Sequence, residues 1–260
     1  MSFQTIAITT RGKARWITLN RPRVLNAMNR QCIEECADAI RAAEEDAEVR
    51  SIVFSGEGDR AFTAGADIGE IREFGPAEIL RYNRGWLDLF RKIETCRKPV
   101  IAAVKGWATG GGTELSLACD FVICGESARF GLAEINIGVI PGAGAAVRLT
   151  RWIGRLKAKE LLMLGRLLDG KEAVAWELAN RCVPDCELLS TVIALCEELD
   201  EKAPLAIGAA KASVNIGAEA SFDVALEYEL QEFVRLFGTA DQKEGMSAFL
   251  EKRKPNYLGR

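Results

Sequence analysis

The chain opens with two alternating apolar stretches. Phe3–Thr10 and Ala14–Asn20 read as strands joined by a tight turn at Arg11-Gly12-Lys13, and Arg21-Pro22 ends the second. The period then changes to three and four. Asn29 is placed to cap a helix running to about Asp46, with Cys32, Ile33, Cys36, Ala37, Ile40 and Ala43 on one face. Ser51–Ser55 is a short buried strand, so the chain begins β-β-α-β. Pro76–Glu94 is predicted helical, with apolar positions at Ile79, Leu80, Trp86, Leu87, Leu89, Phe90 and Ile93. Val100–Val104 and Phe121–Cys124 are two further buried strands, and a helix is expected from about Ala145. From Gly154 onward the pattern is helical almost throughout, near 156–164, 171–178, 188–201, 205–216, 221–237 and 239–252. Val224, Leu226, Tyr228, Leu230, Phe233, Val234 and Phe237 exceed one apolar stripe, which predicts packing on a second surface such as another subunit.

The stretch from Pro99 to Asp120 concentrates the candidate chemistry. A buried strand empties into Gly110, Gly111 and Gly112, which start a helix carrying Glu114. Backbone without Cβ atoms lets N–H groups approach a ligand, and free N–H groups at a helix start attract an oxyanion. The same triplet also suits close packing between helices, so this stretch alone leaves both readings open. The segment Phe62-Thr-Ala-Gly-Ala-Asp-Ile68 reads either as a plain turn or as a second loop that presents N–H groups. Glu134 lies among Leu132, Ala133, Ile135 and Ile137; it is exposed at a strand's edge or kept for a task, since burying an unpaired carboxylate is costly.

Composition narrows the chemistry. At 260 residues the chain can bury a sizeable core. A net charge of −3 argues against a general polyanion binder, so nucleic acid is not the expected partner. There is no histidine, which removes Ser/His triads and His-ligated metal sites and leaves acid–base work to carboxylates, Lys, Tyr or Cys. The eight cysteines contain no Cys-x-x-Cys pair. The spacings Cys32/Cys36 and Cys182/Cys186 suit helix faces, and free thiols in a reducing cytosol are expected. Met-Ser-Phe-Gln-Thr-Ile shows no leader pattern, and no run approaches about 18 apolar residues, so a soluble cytoplasmic protein is expected. Gly165–Glu172 has P-loop spacing but Glu172 replaces the magnesium-binding hydroxyl; Gly142–Val147 lacks the third glycine of a dinucleotide fingerprint. No Gly-x-Ser-x-Gly elbow occurs.

With these residues assembled, the chain resembles the enoyl-CoA hydratase/isomerase (crotonase) superfamily over nearly its whole length. The likeness is carried by Asn20–Asn29, Ala61–Ile68, Lys98–Gly106, Gly110–Leu115, Ala128–Gly131, Ile140–Gly144 and Glu244–Lys254. The resemblance implies an α/β, crotonase-like spiral of β-β-α units with a helical C-terminal oligomerisation region, divided as a catalytic core over 1–200 and a trimerisation region over 201–260. It implies an oxyanion hole from the N–H groups of Ala66 and Gly111. Glu134 would deliver a proton to C2, Glu114 would activate the water that attacks C3, and the Gly142 N–H would contact that water. Coenzyme A enters with the thioester, and no other cofactor or metal is implied. Its contacts would come from Arg23, Leu25, Ala64, Ala66, Asp67, Ile68 and Gly111, with Trp86 and Pro141 towards the acyl group. Phe233 and Lys252 would come from a neighbouring copy in a homotrimer or a hexamer.

Leu132 stands where many family hydratases have Gln, and Ala145-Ala146-Val147 stands where Gly-Gly-Thr-Gln is common. With bulky Trp86 and Trp107 expected around the acyl region, a cyclic or branched enoyl-CoA is an alternative to a plain short chain. An enoyl-CoA isomerase of the same family and a non-catalytic or RNA-binding relative are the rival readings. The pair of retained glutamates and the negative net charge favour the hydratase.

Overall fold

A computed structural model describes residues 3–260; Met1 and Ser2, part of the N-terminal stretch read as lacking a leader, lie outside them. The elements run β1 (Ile6–Arg11), β2 (Ala14–Leu19), α1 (Arg30–Glu45), β3 (Ser51–Gly56), β4 (Ala61–Thr63), α2 (Ile68–Ile71), α3 (Pro76–Thr95), β5 (Val100–Val104), β6 (Trp107–Thr109), α4 (Gly111–Ala118), β7 (Phe121–Gly125) and β8 (Arg129–Gly131). They continue with α5 (Ala145–Trp152), α6 (Gly154–Leu164), β9 (Leu167–Asp169), α7 (Gly170–Ala175), β10 (Arg181–Val183), α8 (Leu188–Asp200), α9 (Pro204–Glu219), α10 (Phe222–Leu236) and α11 (Ala240–Glu251).

Two sheets result. One has six strands in the order β1-β2-β3-β5-β7-β10, parallel except for the β1/β2 hairpin; the other has four, β4-β6-β8-β9, parallel except for β8/β9. Each successive pair, β3/β4, β5/β6 and β7/β8, gives its first strand to the larger sheet and its second to the smaller. Helical segments follow each pair, so the chain advances as a spiral of β-β-α turns. β5 is buried along its whole length, as a parallel strand covered on both faces must be.

The local predictions succeed where the pattern is long. Asn29 caps α1, its side chain accepting from Cys32 N–H at 3.0 Å, and Cys32, Ile33, Cys36, Ile40 and Ala43 are buried. They fail at the three-residue strands, in the smaller sheet and at the β10 edge of the larger one. The segment read as a turn or loop from Phe62 begins inside β4, and the region read as almost wholly helical contains β9 and β10. Cys182 therefore lies on a strand and Cys186 in a 3-10 turn (Asp185–Glu187), not on one helix face. All eight cysteines are free, six of them buried. In the rejected P-loop stretch, Asp169 and Glu172 form a reciprocal cap at the start of α7, with bonds of 2.8 and 2.9 Å.

The C-terminal helices fasten to the core through Lys211 on α9. Its ammonium reaches Asp120 at 2.7 Å and donates to the Ile93 carbonyl at 2.7 Å, while Asp120 accepts from Val100 N–H at 2.7 Å. Burial raises the Asp120 carboxyl, opposed by the adjacent Lys211 charge. Phe222, Phe233, Val234, Phe249 and Leu250 remain exposed on α10 and α11. No helix among the described residues is long and apolar enough to cross a membrane.

Candidate active site

Helix α4 is buried over every residue, so its small side chains decide how closely neighbouring elements approach. Each glycine of the triplet meets a different partner. A Cβ on Gly110 would stand 2.7 Å from Glu134 Oε1, one on Gly111 2.9 Å from Trp86 Cη2, and one on Gly112 2.3 Å from the Thr63 carbonyl oxygen. The packing reading of the triplet is thus correct as geometry, and it is this packing that gathers the polar groups.

Thr113 fixes the register beneath them. Its hydroxyl donates to Ala108 O at 2.6 Å and accepts from Gly131 N–H at 3.0 Å, while Gly110 N–H donates to Gly131 O at 2.8 Å. β8 is thereby locked to the start of α4. Three residues beyond Gly131, Glu134 begins a 3-10 turn (Glu134–Ile137) and its carboxylate comes to lie over bare Gly110. Glu134 Oε2 is buried with no hydrogen-bond partner, and burial raises its pKa. An unpartnered buried carboxylate oxygen costs free energy that only a ligand or solvent group can recover.

Glu114 is 3% exposed. Its Oε1 accepts from Ala143 N–H at 3.0 Å, on the loop that follows the 3-10 turn, and from Ala145 N–H at 2.9 Å, the first residue of α5. No donor among the described residues reaches its Oε2. Burial pushes the Glu114 carboxyl up to about 7; the Ala145 N–H bond opposes this, the charge of Glu134 adds to it, and the Ala143 bond and Arg148 oppose it.

The loop 64–68 supplies the other half. Gly65 has φ +88°, and a Cβ there would meet Thr109 O at 2.6 Å and Gly111 N at 2.7 Å. This close approach brings the peptide following Gly65, whose N–H belongs to Ala66, alongside the first N–H of α4, that of Gly111. Neither N–H finds an acceptor among the described residues, whereas Gly110 N–H is taken. The loop is sewn to the segment 22–28: Ala64 N–H donates to Leu25 O at 3.0 Å, Met28 N–H to Gly65 O at 2.7 Å, and Asp67 N–H to Met28 O at 3.1 Å. Asp67 caps α2 and pairs with Arg21 at 2.9 Å, while Ile68 is 52% exposed. Leu25 and Asn26 both hold left-handed backbone, φ +54° and +56°, uncommon for side-chain-bearing residues. Asn26 holds the turn by donating to Ala61 O at 2.8 Å and Glu57 O at 3.0 Å.

The predicted residues divide accordingly. Glu134 lies against Gly110, its charge acts on Glu114, and Gly111 N lies against Gly65 beside Ala66, while Arg23, Leu25, Ala64, Asp67 and Ile68 lie on the two segments sewn together at 22–28 and 64–68. Pro141 is buried and Gly142 exposed on the loop that seats Glu114. Gly142 packs against Asn83, whose Nδ2 would lie 2.1 Å from a Cβ there. Trp86 is 2% exposed and belongs to the core, backing Gly111; Trp107 is 41% exposed at the start of β6. Phe233 packs against Phe237 with ring centroids 5.0 Å apart and planes tilted by 55°, and Lys252 caps α11; both lie on the C-terminal helices. The sequence reading missed Ala143 and Ala145 as the donors to Glu114. It also missed Arg148, which donates to Ala143 O at 2.8 Å and to Glu94 at 2.6 Å. Only the glycines flanking Ala143 signalled that backbone there is used for contact.

A family model described as enoyl-CoA hydratase/isomerase matches residues 11–260. A probable enoyl-CoA hydratase of Rhizobium meliloti is 41% identical over 262 aligned positions, covering 100% of both chains. A short-chain-enoyl-CoA hydratase of Clostridium acetobutylicum is 37% identical over 98% of this chain and 97% of its own. The crystal structure of an enoyl-CoA hydratase from Bacillus anthracis superposes with a TM-score of 0.95 at 36% identity, covering 99% of this chain and 100% of that one.

Proposed function

The chain belongs to the enoyl-CoA hydratase/isomerase family, and from that premise we infer that it is an enoyl-CoA hydratase whose two buried glutamates add water across the 2,3 double bond of an acyl-CoA thioester. The product is a 3-hydroxyacyl-CoA, the kind of lyase step used in β-oxidation. One observation supports the assignment of roles above all: two carboxyls with raised pKa values lie near two N–H groups that no acceptor among the described residues claims.

The thioester carbonyl oxygen accepts from Ala66 and Gly111. As water oxygen bonds to C3, Glu114 takes its proton; the π electrons of C2=C3 move into a new C1=C2 bond and the carbonyl electrons onto oxygen. The two N–H groups hold that enolate oxygen, each worth about 2.7–4 kcal/mol in the transition state when aimed correctly. Glu134 then gives its proton to C2 as the carbonyl re-forms. Glu114 leaves the cycle protonated and Glu134 ionised, and proton exchange through the site restores the pair. Burial raises both carboxyls, which favours holding a proton in the site.

Arg23, Leu25, Ala64, Asp67 and Ile68 bind the coenzyme A portion, with Pro141 and Gly142 bordering the acyl end. The exposed apolar residues of α10 and α11 pack against other copies in a trimer or a dimer of trimers, where Phe233 and Lys252 reach a neighbour's CoA. Residues 1–200 form the catalytic core and 201–260 the assembling region, and the protein works in the cytoplasm. It needs no cofactor beyond the CoA carried by its substrate and binds neither nucleic acid nor membrane. A panel of straight, branched and cyclic enoyl-CoA thioesters tests the activity: hydration consumes the conjugated-thioester absorbance, whereas isomerisation from a 3-enoyl-CoA creates it.

A further inference from the structure

Arg148 has a position that its sequence context, an ordinary arginine in a short helix, does not reveal. Its side chain is 16% exposed, and its Nε donates to Glu94 Oε1 on α3 at 2.6 Å. Its Nη1 donates to the carbonyl of Ala143 at 2.8 Å, and its guanidinium lies 5.4 Å above the Phe90 ring. Gly144, at φ +103°, makes room: a Cβ there would stand 2.5 Å from Nη1. Ala143 is held from both ends, since its N–H, with that of Ala145, seats Glu114 Oε1.

We propose that Arg148 is a positioning residue for the hydration: braced by Glu94, it fixes the backbone from Ala143 to Ala145 and so fixes the carboxylate of Glu114. The inference rests on the hydratase reading above. A displacement of about 1 Å in a reacting group costs on the order of 10²-fold in rate, so a clamp on the residue that also supplies one of the carboxylate's donors has catalytic weight. The charged groups facing Glu114 are Glu134 from the 3-10 turn, which raises its pKa, and Arg148 from α5, which lowers it. Glu94 neutralises Arg148 from α3. Removing the cation and removing its counter-charge therefore push Glu114 in opposite directions, a signature that simple loosening of the fold does not produce.

The test compares the intact wild-type protein with Arg148→Met, Arg148→Lys and Glu94→Gln. It uses crotonyl-CoA as substrate, and carbon NMR of the Glu114 carboxyl in the absence of substrate. Arg148→Met is expected to lower kcat about 10–100-fold with KM for crotonyl-CoA little changed, and to move the pH optimum and the Glu114 titration upward by about one unit. Glu94→Gln moves both downward, and Arg148→Lys restores the optimum but only part of kcat because the fork is lost. The proposal is overturned if Arg148→Met keeps the wild-type kcat and pH optimum, or if the Met and Gln variants shift Glu114 in the same direction. Should Arg148→Met not fold, the Lys and Gln variants decide by the same shifts. Opposite NMR shifts in the Met and Gln variants, with a wild-type protein that fails to hydrate crotonyl-CoA, would support the clamp and count against the substrate reading. Hydration with an unmoved Glu114 titration would overturn the clamp alone.

Discussion

Gly110 lies directly against the carboxylate of Glu134: a single added carbon would stand 2.7 Å from Oε1. Its backbone, φ +55° and ψ −123°, is also one that L side chains rarely adopt. Gly110→Ala should therefore displace Glu134 and lower kcat by about 10²-fold. Gly58→Ala has a positive φ of +80°, nothing within 4 Å of its added carbon and no part in the turn that carries Glu134, so it serves as the control for replacing a positive-φ glycine. Steady-state kinetics on both variants separate displacement from strain; equal losses would contradict it.

Gly111 and Trp86 form a second such pair. A side chain at 111 meets the indole at 2.9 Å, so Gly111→Val reports on core packing as well as on the neighbouring N–H. Gly111→Ala is the gentler probe and should cost about 1–3 kcal/mol of stability by overpacking. Trp86→Phe should return part of that loss in the double variant, with a coupling of about 0.5–3 kcal/mol measured by urea unfolding. Strict additivity would mean that the indole does not back this glycine.

Glu114 makes stability depend on pH with a defined sign. Its carboxyl is raised from 4.5 to about 7 in the folded protein, so between those values the native state binds more protons than the unfolded one. Stability contributed by this site is therefore present at acid pH and lost as pH rises through about 7, up to about 3 kcal/mol for a shift of this size. Glu114→Gln removes that dependence. Relative to wild type, the variant's melting temperature should rise as pH goes from about 5 to about 8; a constant difference would show the carboxyl is not perturbed.

The apolar faces of α10 and α11 predict assembly. Phe249 is 83% exposed and Leu250 80% exposed in the single chain, a costly arrangement for two adjacent large side chains. Light scattering should give a particle at least about three times the 28.4 kDa chain mass. Phe249→Asp with Leu250→Asp should reduce it and weaken CoA binding; a wild-type monomer would contradict the intersubunit role given to Phe233 and Lys252.

Legibility from sequence followed length and locality. α1 and its Asn29 cap, α3, and the five- and six-residue strands of the larger sheet, β1, β2, β3, β5 and β7, are long enough to be readable, whereas its edge strand β10 has three residues and is not. The strands β4, β6, β8 and β9 have three residues each, too few for alternation to register, so the smaller sheet had to come from tertiary pairing. The site divides in the same way. Glu114 and Glu134 stood out because carboxylates amid glycines and aliphatics are unusual, and Gly65 because a small-residue loop left a strand. Arg148 and Glu94 are 54 positions apart in ordinary helical contexts, and their partnership exists only once α3 and α5 are packed. The N–H groups of Ala143 and Ala145 carry no side-chain signature at all.

The central claim, that two glutamates divide the proton work of hydration, is tested most directly by following crotonyl-CoA absorbance with wild type, Glu114→Gln and Glu134→Gln, each shown to be folded. Rapid loss of the conjugated thioester with wild type, and kcat lower by about 10²–10⁴-fold in each variant, is the predicted result. Near wild-type turnover in either glutamine variant would contradict it.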